Sequence, residues 1–229
     1  TYYVAGLDGT SIGNSTFRDS VDETSVSQEF NLISPDGERM SWVLGAYYQF
    51  DKLKFPTGKF VIGAPPGSIF TEYMLQGTNP KENKAVFGQV TFKLPHRLEL
   101  QLGARYSESE TKNNVSVLQY GLPIVQEQTA SSDNVSGKIS LSWTVDDHNF
   151  LYAFVATGYK PGGLNVPVGP APLDPFGPEK VTNYEIGWKA GFLGGRLRTQ
   201  MNAYYNEYED FQVTIGYPLF PVFGVGVNN

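Results

Sequence analysis

The polar and apolar positions of this chain alternate with a period of two over most of its length. From Leu98 one side reads Leu98, Leu100, Leu102, Ala104, Tyr106, and the other reads Glu99, Gln101, Gly103, Arg105. Val135, Gly137, Ile139, Leu141, Trp143 and Val145 alternate with Ser136, Lys138, Ser140, Ser142 and Thr144. The same pattern returns in Met40 to Phe50, in Asn183 to Phe192 and in Leu197 to Asn206. Successive side chains of a β-strand point to opposite faces, so each stretch predicts a strand that is apolar on one face and polar on the other. No long segment carries a helical period. The expectation is an all-β chain of about eight complete strands, with a partial one at each end.

The connections predict an up-and-down order. Short ones fall at Ser34-Pro35-Asp36-Gly37-Glu38, Pro95-His96-Arg97, Asp146-Asp147-His148-Asn149 and Leu193-Gly194-Gly195-Arg196. Gly, Asn and Asp accept the positive φ of tight hairpins, and Pro pre-sets its own φ. Long connections are expected over about 53–81, 112–132, 161–179 and from 214 onward, all rich in Gly, Pro, Asn and Ser. The strands between them run to about 12 residues, or some 40 Å at about 3.3 Å per residue. Tilted by about 45°, they rise close to 28 Å, near the hydrocarbon thickness of an outer membrane. Trp42, Tyr48, Phe50, Phe92, Tyr106, Trp143 and Tyr205 lie toward strand ends, where an interfacial girdle belongs.

Composition narrows the class. Only 17% of the 229 residues are charged, 14% are aromatic and the formal net charge is -6. That balance excludes a basic nucleic-acid binder. With no cysteine, disulfides and thiolate metal sites are excluded. No run of eighteen apolar residues offers a transmembrane helix. The polar face carries mostly Ser, Thr, Gln, Asn and Gly rather than dense charge, as a water-lined lumen would, and the other face suits lipid.

Several stretches resemble the barrel of TonB-dependent outer-membrane receptors. Ser27-Gln28-Glu29-Phe30-Asn31-Leu32, a turn, and Trp42-Val43-Leu44-Gly45-Ala46-Tyr47-Tyr48 are similar to an early barrel hairpin of that family. Leu102-Gly103-Ala104-Arg105-Tyr106-Ser107 resembles its G-x-R-Y strand. Ala156-Thr157-Gly158-Tyr159-Lys160-Pro161-Gly162-Gly163-Leu164-Asn165 leads to Pro178-Glu179-Lys180-Val181-Thr182-Asn183-Tyr184-Glu185-Ile186-Gly187-Trp188-Lys189, which is similar to its P-E-x-x-x-x-Y-E-x-G-x-K strand. Asn202-Ala203-Tyr204-Tyr205 and Asp210-Phe211-Gln212 continue the series. The resemblance implies a transmembrane antiparallel up-and-down β-barrel of 22 strands with an N-terminal plug. Residues 1–229 would then be a partial barrel domain, about a third of a receptor, with the plug and the C-terminal strands absent. It implies residence in the outer membrane of a Gram-negative bacterium. It implies uptake of a scarce ligand such as an iron–siderophore complex, a vitamin or a glycan, driven by the TonB–ExbB–ExbD system through the plug. Two other readings stay open: a passive porin or small closed outer-membrane barrel, and a soluble β-rich carbohydrate-binding protein.

Candidate chemistry is sparse. His96 falls in one predicted turn, and Asp146, Asp147 and His148 share another. Glu207 to Asp210 lies at the outer end of a strand. None forms a pattern for catalysis, so no enzyme activity, cofactor or metal is expected. Ligand contact is expected on the long loops, because binding groups concentrate on loops held by a rigid scaffold. Tyr73, Tyr120, Phe176 and Tyr217 are the candidates, aromatic residues suited to an apolar chelate or a stacked sugar. Arg105, Lys138, Lys189 and Arg198 are expected to face the lumen, where two readings are open: attraction of an anionic ligand, and the favoured one, structural pairing with Glu99 and Glu185.

Overall fold

A computed structural model of the chain describes residues 2–5, 13–18, 20–35, 37, 39–63, 72–119, 122–165, 173–219 and 222–229. Its strands are β1 (Tyr2–Ala5), β2 (Gly13–Arg18), β3 (Asp22–Ile33), β4 (Met40–Gly63), β5 (Glu72–Leu94), β6 (Leu98–Gln119), β7 (Leu122–Thr144), β8 (Asn149–Lys160), β9 (Glu179–Phe192), β10 (Leu197–Glu209), β11 (Val213–Leu219) and β12 (Val222–Asn228). One ten-stranded antiparallel sheet runs β1-β2-β4-β5-β6-β7-β8-β9-β10, with β3 also on β4. β2 and β3 share one edge of β4: Arg18 pairs with Lys59, and Asp22 with Lys54. The hairpin β11–β12 is a separate two-stranded sheet. Neighbours in sequence are neighbours in space, and among the described residues β10 pairs with no strand but β9, so the barrel is not closed.

The short connections at 95–97, 146–149 and 193–196 lie where the sequence places them; Asp36 and Glu38 of the first lie outside the described residues. Pro95–Arg97 makes a single 3-10 turn with His96 at φ 62°. Residues 193–196 turn with Leu193, Gly194 and Gly195 all at positive φ. In the turn after β7, Asp146 Oδ1 accepts hydrogen bonds from His148 N at 2.7 Å and Asn149 N at 2.9 Å. These bonds and that from the Asn149 side chain, His148 N foremost, hold the Asp146 carboxyl below the usual carboxylate range.

Strand length departs from the expected twelve residues. β3, β8, β9 and β10 have 12, 12, 14 and 13 residues, whereas β4 to β7 have 24, 23, 22 and 23. Much of the expected loops at 53–81 and 112–132 is therefore strand, and the region from 214 onward holds a hairpin rather than an open loop. The reason is the ladder. β6 and β7 stay in register from Leu98↔Trp143 to Gln119↔Leu122, so backbone pairing continues where Ser and Asn content suggests loop. The β5–β6 ladder skips at Asn79-Pro80, where Pro has no N–H to give. There Asn79 Nδ2 donates to the Lys112 carbonyl at 2.9 Å. Residues 161–165 and 173–178 carry only an isolated bridge, Gly163↔Phe176, and form the one expected long loop that is mostly irregular among the described residues.

Register assembles the alternation into two faces. Leu44, Gly88, Ala104 and Gly137 form one row across β4 to β7, and Trp42, Val90, Leu102, Ile139, Val155 and Tyr184 form the next. The side chains of this face are exposed: Val135 by 69%, Ile139 by 60% and Ile186 by 61%. Toward the short turns the band ends in Trp143 and Trp188, whose indole N–H groups donate to His96 O and Asn149 Oδ1, each at 3.1 Å. Toward the long strand ends it meets Tyr106, then the row Tyr48, Lys84, Glu108, Asp133. An apolar band between two aromatic rims, with charges beyond, is the lipid-facing surface of a transmembrane barrel wall.

Candidate functional site

The opposite, concave face carries the polar residues, and two parts of it hold chemistry. The first lies within the band. Arg105 sits over the rings of Tyr47 and Phe87, with Cζ 5.5 and 5.4 Å from their centroids. Lys138 Nζ lies 4.8 Å from the centroid of Phe154. Lys189 Nζ lies 5.9 Å from that of Phe150 and 5.5 Å from that of Tyr152. The rings of β8 stand in a row: Phe150 and Tyr152 are 6.2 Å apart, Tyr152 and Phe154 6.3 Å. The expected pairing of these cations with Glu99 and Glu185 is not what the structure shows. Among the described residues, no carboxylate lies within salt-bridge distance of Arg105, Lys138, Lys189 or Arg198. Glu185 Oε1 instead accepts from Tyr152 OH at 2.6 Å and Asn202 Nδ2 at 3.2 Å. The physical reason is position. Tyr152 is directly opposite Gly187, so its ring crosses the gap a glycine leaves and stands between Glu185 and Lys189.

The second part is at the long-strand end. Asn113, Val115 and Val117 of β6, and Ile124 and Gln126 of β7, continue the concave face and are buried, Val117 and Gln126 completely. The segment after β8 lies over Asn113 and Gln126. The Asn165 carbonyl accepts from Gln126 Nε2 at 3.0 Å and from Asn113 Nδ2 at 3.4 Å. Gln126 Oε1 in turn accepts from Asn113 Nδ2 at 3.0 Å. The Asn165 side chain reaches the other way: Nδ2 donates to Asp174 O at 3.0 Å and Val227 O at 3.1 Å, and Oδ1 accepts from Val227 N at 2.7 Å. Gln212 Nε2 donates to Pro161 O at 3.1 Å and Gly177 O at 2.9 Å. Asn229 Nδ2 also donates to Gly177 O, at 3.0 Å. A chain of side-chain amides thus fastens the loop and the β11–β12 hairpin to the extended sheet. A buried amide is tolerated only when its donors and acceptors are matched, and these are.

The four aromatic candidates fare unequally. Phe176 is half-buried, exchanges backbone hydrogen bonds with Gly163 at 3.1 and 3.0 Å, and lays its ring where a Cβ on Gly163 would stand. Its ring packs the loop. Tyr73 lies in β5 opposite Gln119, and Tyr217 in β11 opposite Gly224. Tyr120 lies outside the described residues. Sequence reasoning passed over Asn113, Gln126, Asn165 and Gln212, for a scattered amide carries no motif. Gln126 and Gln128 sharing one strand face is the only trace of it. His96 and His148 occupy turns, and among the described residues no three His, Asp or Glu come close enough to hold a metal.

A long antiparallel sheet with a lipid-facing skin, a polar concave face and irregular structure at one end is a wall of an outer-membrane-type β-barrel. The family model of the TonB dependent receptor-like β-barrel matches residues 1–226. The chain belongs to that family, whose relatives are Gram-negative outer-membrane proteins. It is similar to the pesticin receptor of Yersinia pestis, 28% identical over 141 residues, covering 61% of this chain and 21% of that protein. The chain thus spans about a fifth of the length of the curated relatives it matches. In fold it is similar to the ferric yersiniabactin uptake receptor FyuA from Yersinia pestis, with TM-score 0.76 and 23% identity over 93% of this chain and 32% of that one. It is also similar to the copper transporter OprC, with TM-score 0.71 and 15% identity over 94% of this chain and 34% of that one.

Proposed function

We propose that this chain is part of a receptor in the Gram-negative outer membrane that imports a scarce ligand, in the first place an iron–siderophore complex, on energy delivered by TonB. The carrying observation is the concave face at the long-strand end. There buried, paired amides hold a loop and a hairpin in place on the extended sheet, beyond the apolar band where a ligand from outside would arrive. Similarity to a ferric yersiniabactin uptake receptor supports an iron chelate as cargo. We read the chain as an arc of a larger barrel, with the plug and the remaining strands supplied by the rest of the protein. Tyr73, Tyr120, Phe176 and Tyr217 remain the proposed aromatic contacts.

The test is uptake of radiolabelled ferric siderophores by cells bearing the full-length gene, its deletion, and the intact gene without TonB. Saturable uptake lost in both deletions is expected. Uptake that survives without TonB would replace this reading with a passive pore.

A further inference from the structure

The sheet splits between β7 and β8. Their ladder runs only from Thr144↔Phe150 to Lys138↔Ala156. Gly137 N then donates to the Thr157 hydroxyl at 2.9 Å in place of a backbone carbonyl, and Thr157 to Lys160 pair with β9 alone. Pro161 follows and has no N–H with which to resume the ladder. β7 meanwhile continues to Leu122 in register with β6. Its other edge is left open there, although β7 lies inside the arc and not at either end of it.

Period two fixes which groups are open. Val145 N donates to Asn149 O and Gly137 N to Thr157, so the odd-numbered residues of β7 turn their N–H and C=O groups to the β8 side. Val135, Asp133, Ser131, Thr129, Glu127 and Val125 continue that series. Among the described residues, nothing bonds to their main chain on that side. Their side chains are exposed, and from Asp133 onward they stand beyond the apolar band, where water reaches the backbone. The strand itself is held from two other directions. β6 supplies a ladder, and Gln126 and Gln128 donate to the carbonyls of Asn165 and Leu173 on the concave side. An arriving partner meets a strand already fixed in place, so little ordering is left to do on binding.

We propose that this edge is a strand-addition site for an extended polypeptide carrying Lys or Arg at alternate positions. Main-chain hydrogen bonds give such docking its affinity, and alternate side chains give its selectivity. Charge selects the partner. Glu127 and Asp133 lie along the edge, with Glu108 directly across from Asp133 on β6. Lys84 and Lys112 are taken by Glu82 and Glu110 at 3.0 and 2.8 Å, and among the described residues Glu108, Glu127 and Asp133 have no cation within salt-bridge distance. A second copy of the same edge would bring these carboxylates against their own kind, and like charges are unfavourable across a strand pair. That the partner arrives from outside rests on the orientation proposed above; the open edge itself does not.

The experiment uses the full-length receptor in detergent, where both ends are accessible, so it reads the edge whether or not an iron chelate is imported. The probe is a fluorescein-labelled peptide of alternating Lys and Thr, followed by anisotropy. Saturable binding is expected, unchanged in Ser131→Ala and weakened about tenfold in Ser131→Pro, which removes a main-chain donor and the register around it. The same peptide N-methylated on alternate residues, and a peptide of alternating Glu and Thr, should bind far more weakly. Glu127→Gln with Asp133→Asn should weaken the Lys peptide. Stability is read in parallel. Ser131→Pro takes an N–H from the open edge, whereas Ser132→Pro takes one that β6 uses, so the unfolding midpoint should hold for the first and fall for the second. No saturable binding, or binding that Ser131→Pro and N-methylation leave undiminished, overturns the proposal. Equal destabilisation by Ser131→Pro and Ser132→Pro also overturns it, because the edge would then be paired within the whole receptor. Equal binding of the Lys and Glu peptides overturns the charge argument.

Discussion

Ile139→Lys tests the lipid-facing assignment at its centre. Ile139 is 60% exposed in β7, flanked across the sheet by Leu102 of β6 and Val155 of β8. Along its own strand the apolar face runs from Val135 to Val145. Ten residue steps at about 3.3 Å give roughly 33 Å, or about 25 Å of height at a tilt near 40°. Ile139 lies near the middle of that rise. In water an exposed Ile→Lys change in a strand costs well under 1 kcal/mol or improves solubility. At a bilayer midplane the same change costs about 2–4 kcal/mol, falling to about 0–1 kcal/mol at the rims. The assay is denaturant unfolding of the full receptor folded into lipid vesicles. Three variants bracket the claim: Ile139→Lys at the centre, Val145→Lys at the rim, and Ser140→Lys one residue along on the concave face. The expected order of cost is Ile139 first, with the other two small. A cost below about 0.5 kcal/mol for Ile139→Lys, or an equal cost for Ser140→Lys, would refute the two-face reading.

Three further outcomes are expected. Gln126→Ala leaves Asn113 and the Asn165 carbonyl each short of a buried partner, at about 1–3 kcal/mol; hydrogen exchange should then speed up around Asn165 and Val227 while β9 stays protected. Gly187→Val drives a side chain into the Tyr152 ring, whose atoms lie 2.3 Å from the position of a Cβ there; a cost of about 1–3 kcal/mol is expected, read by unfolding and by loss of heat-modifiable gel migration. Asp146→Ala removes a carboxylate whose pKa is depressed in the folded state. Its contribution is complete above the unfolded value near 4 and fades as pH falls through the lower folded value. The stability gap between wild type and Asp146→Ala should therefore be constant at neutral pH and close only below about pH 4, and a gap that closes between pH 5 and 7 would contradict the assignment.

The membrane-spanning part was legible because one physical rule governs it. Lipid demands apolar groups on one face and full backbone pairing, so Leu98 to Tyr106 and Val135 to Trp143 declare themselves residue by residue. Turns were legible for the same local reason: Gly194 and Gly195 sit at positive φ, and Asp146 caps its own turn. Beyond the membrane the rule lapses. Water can satisfy a backbone that leaves the sheet, so Asn114, Ser116 and Gln126 are equally compatible with loop and with strand. The ladder to a neighbouring strand decides between them, and that is not local information. The amide clasp is hidden for a related cause. Asn113, Gln126, Asn165 and Val227 span more than a hundred positions and meet only after the loop has folded back.

The lumen cations carry the sharper lesson, because charge counting and geometry disagree there. Glu185 and Lys189 are four apart on one strand face, and Arg105, Lys138 and Glu99 are on adjacent strands, which suggests mutual neutralisation. Yet a residue separates each same-face step by about 6.6 Å, and that separation is wide enough for an aromatic ring. Tyr152 opposite Gly187 and Phe87 opposite Gly45 fill such gaps, each ring covering a glycine that could not cover itself. A cation beside the ring then gains quadrupole attraction without losing its charge to a counter-ion. An ion pair would have fixed a neutral wall. Ring support instead leaves Arg105, Lys138 and Lys189 charged, on a face that also carries Glu99 and Glu185.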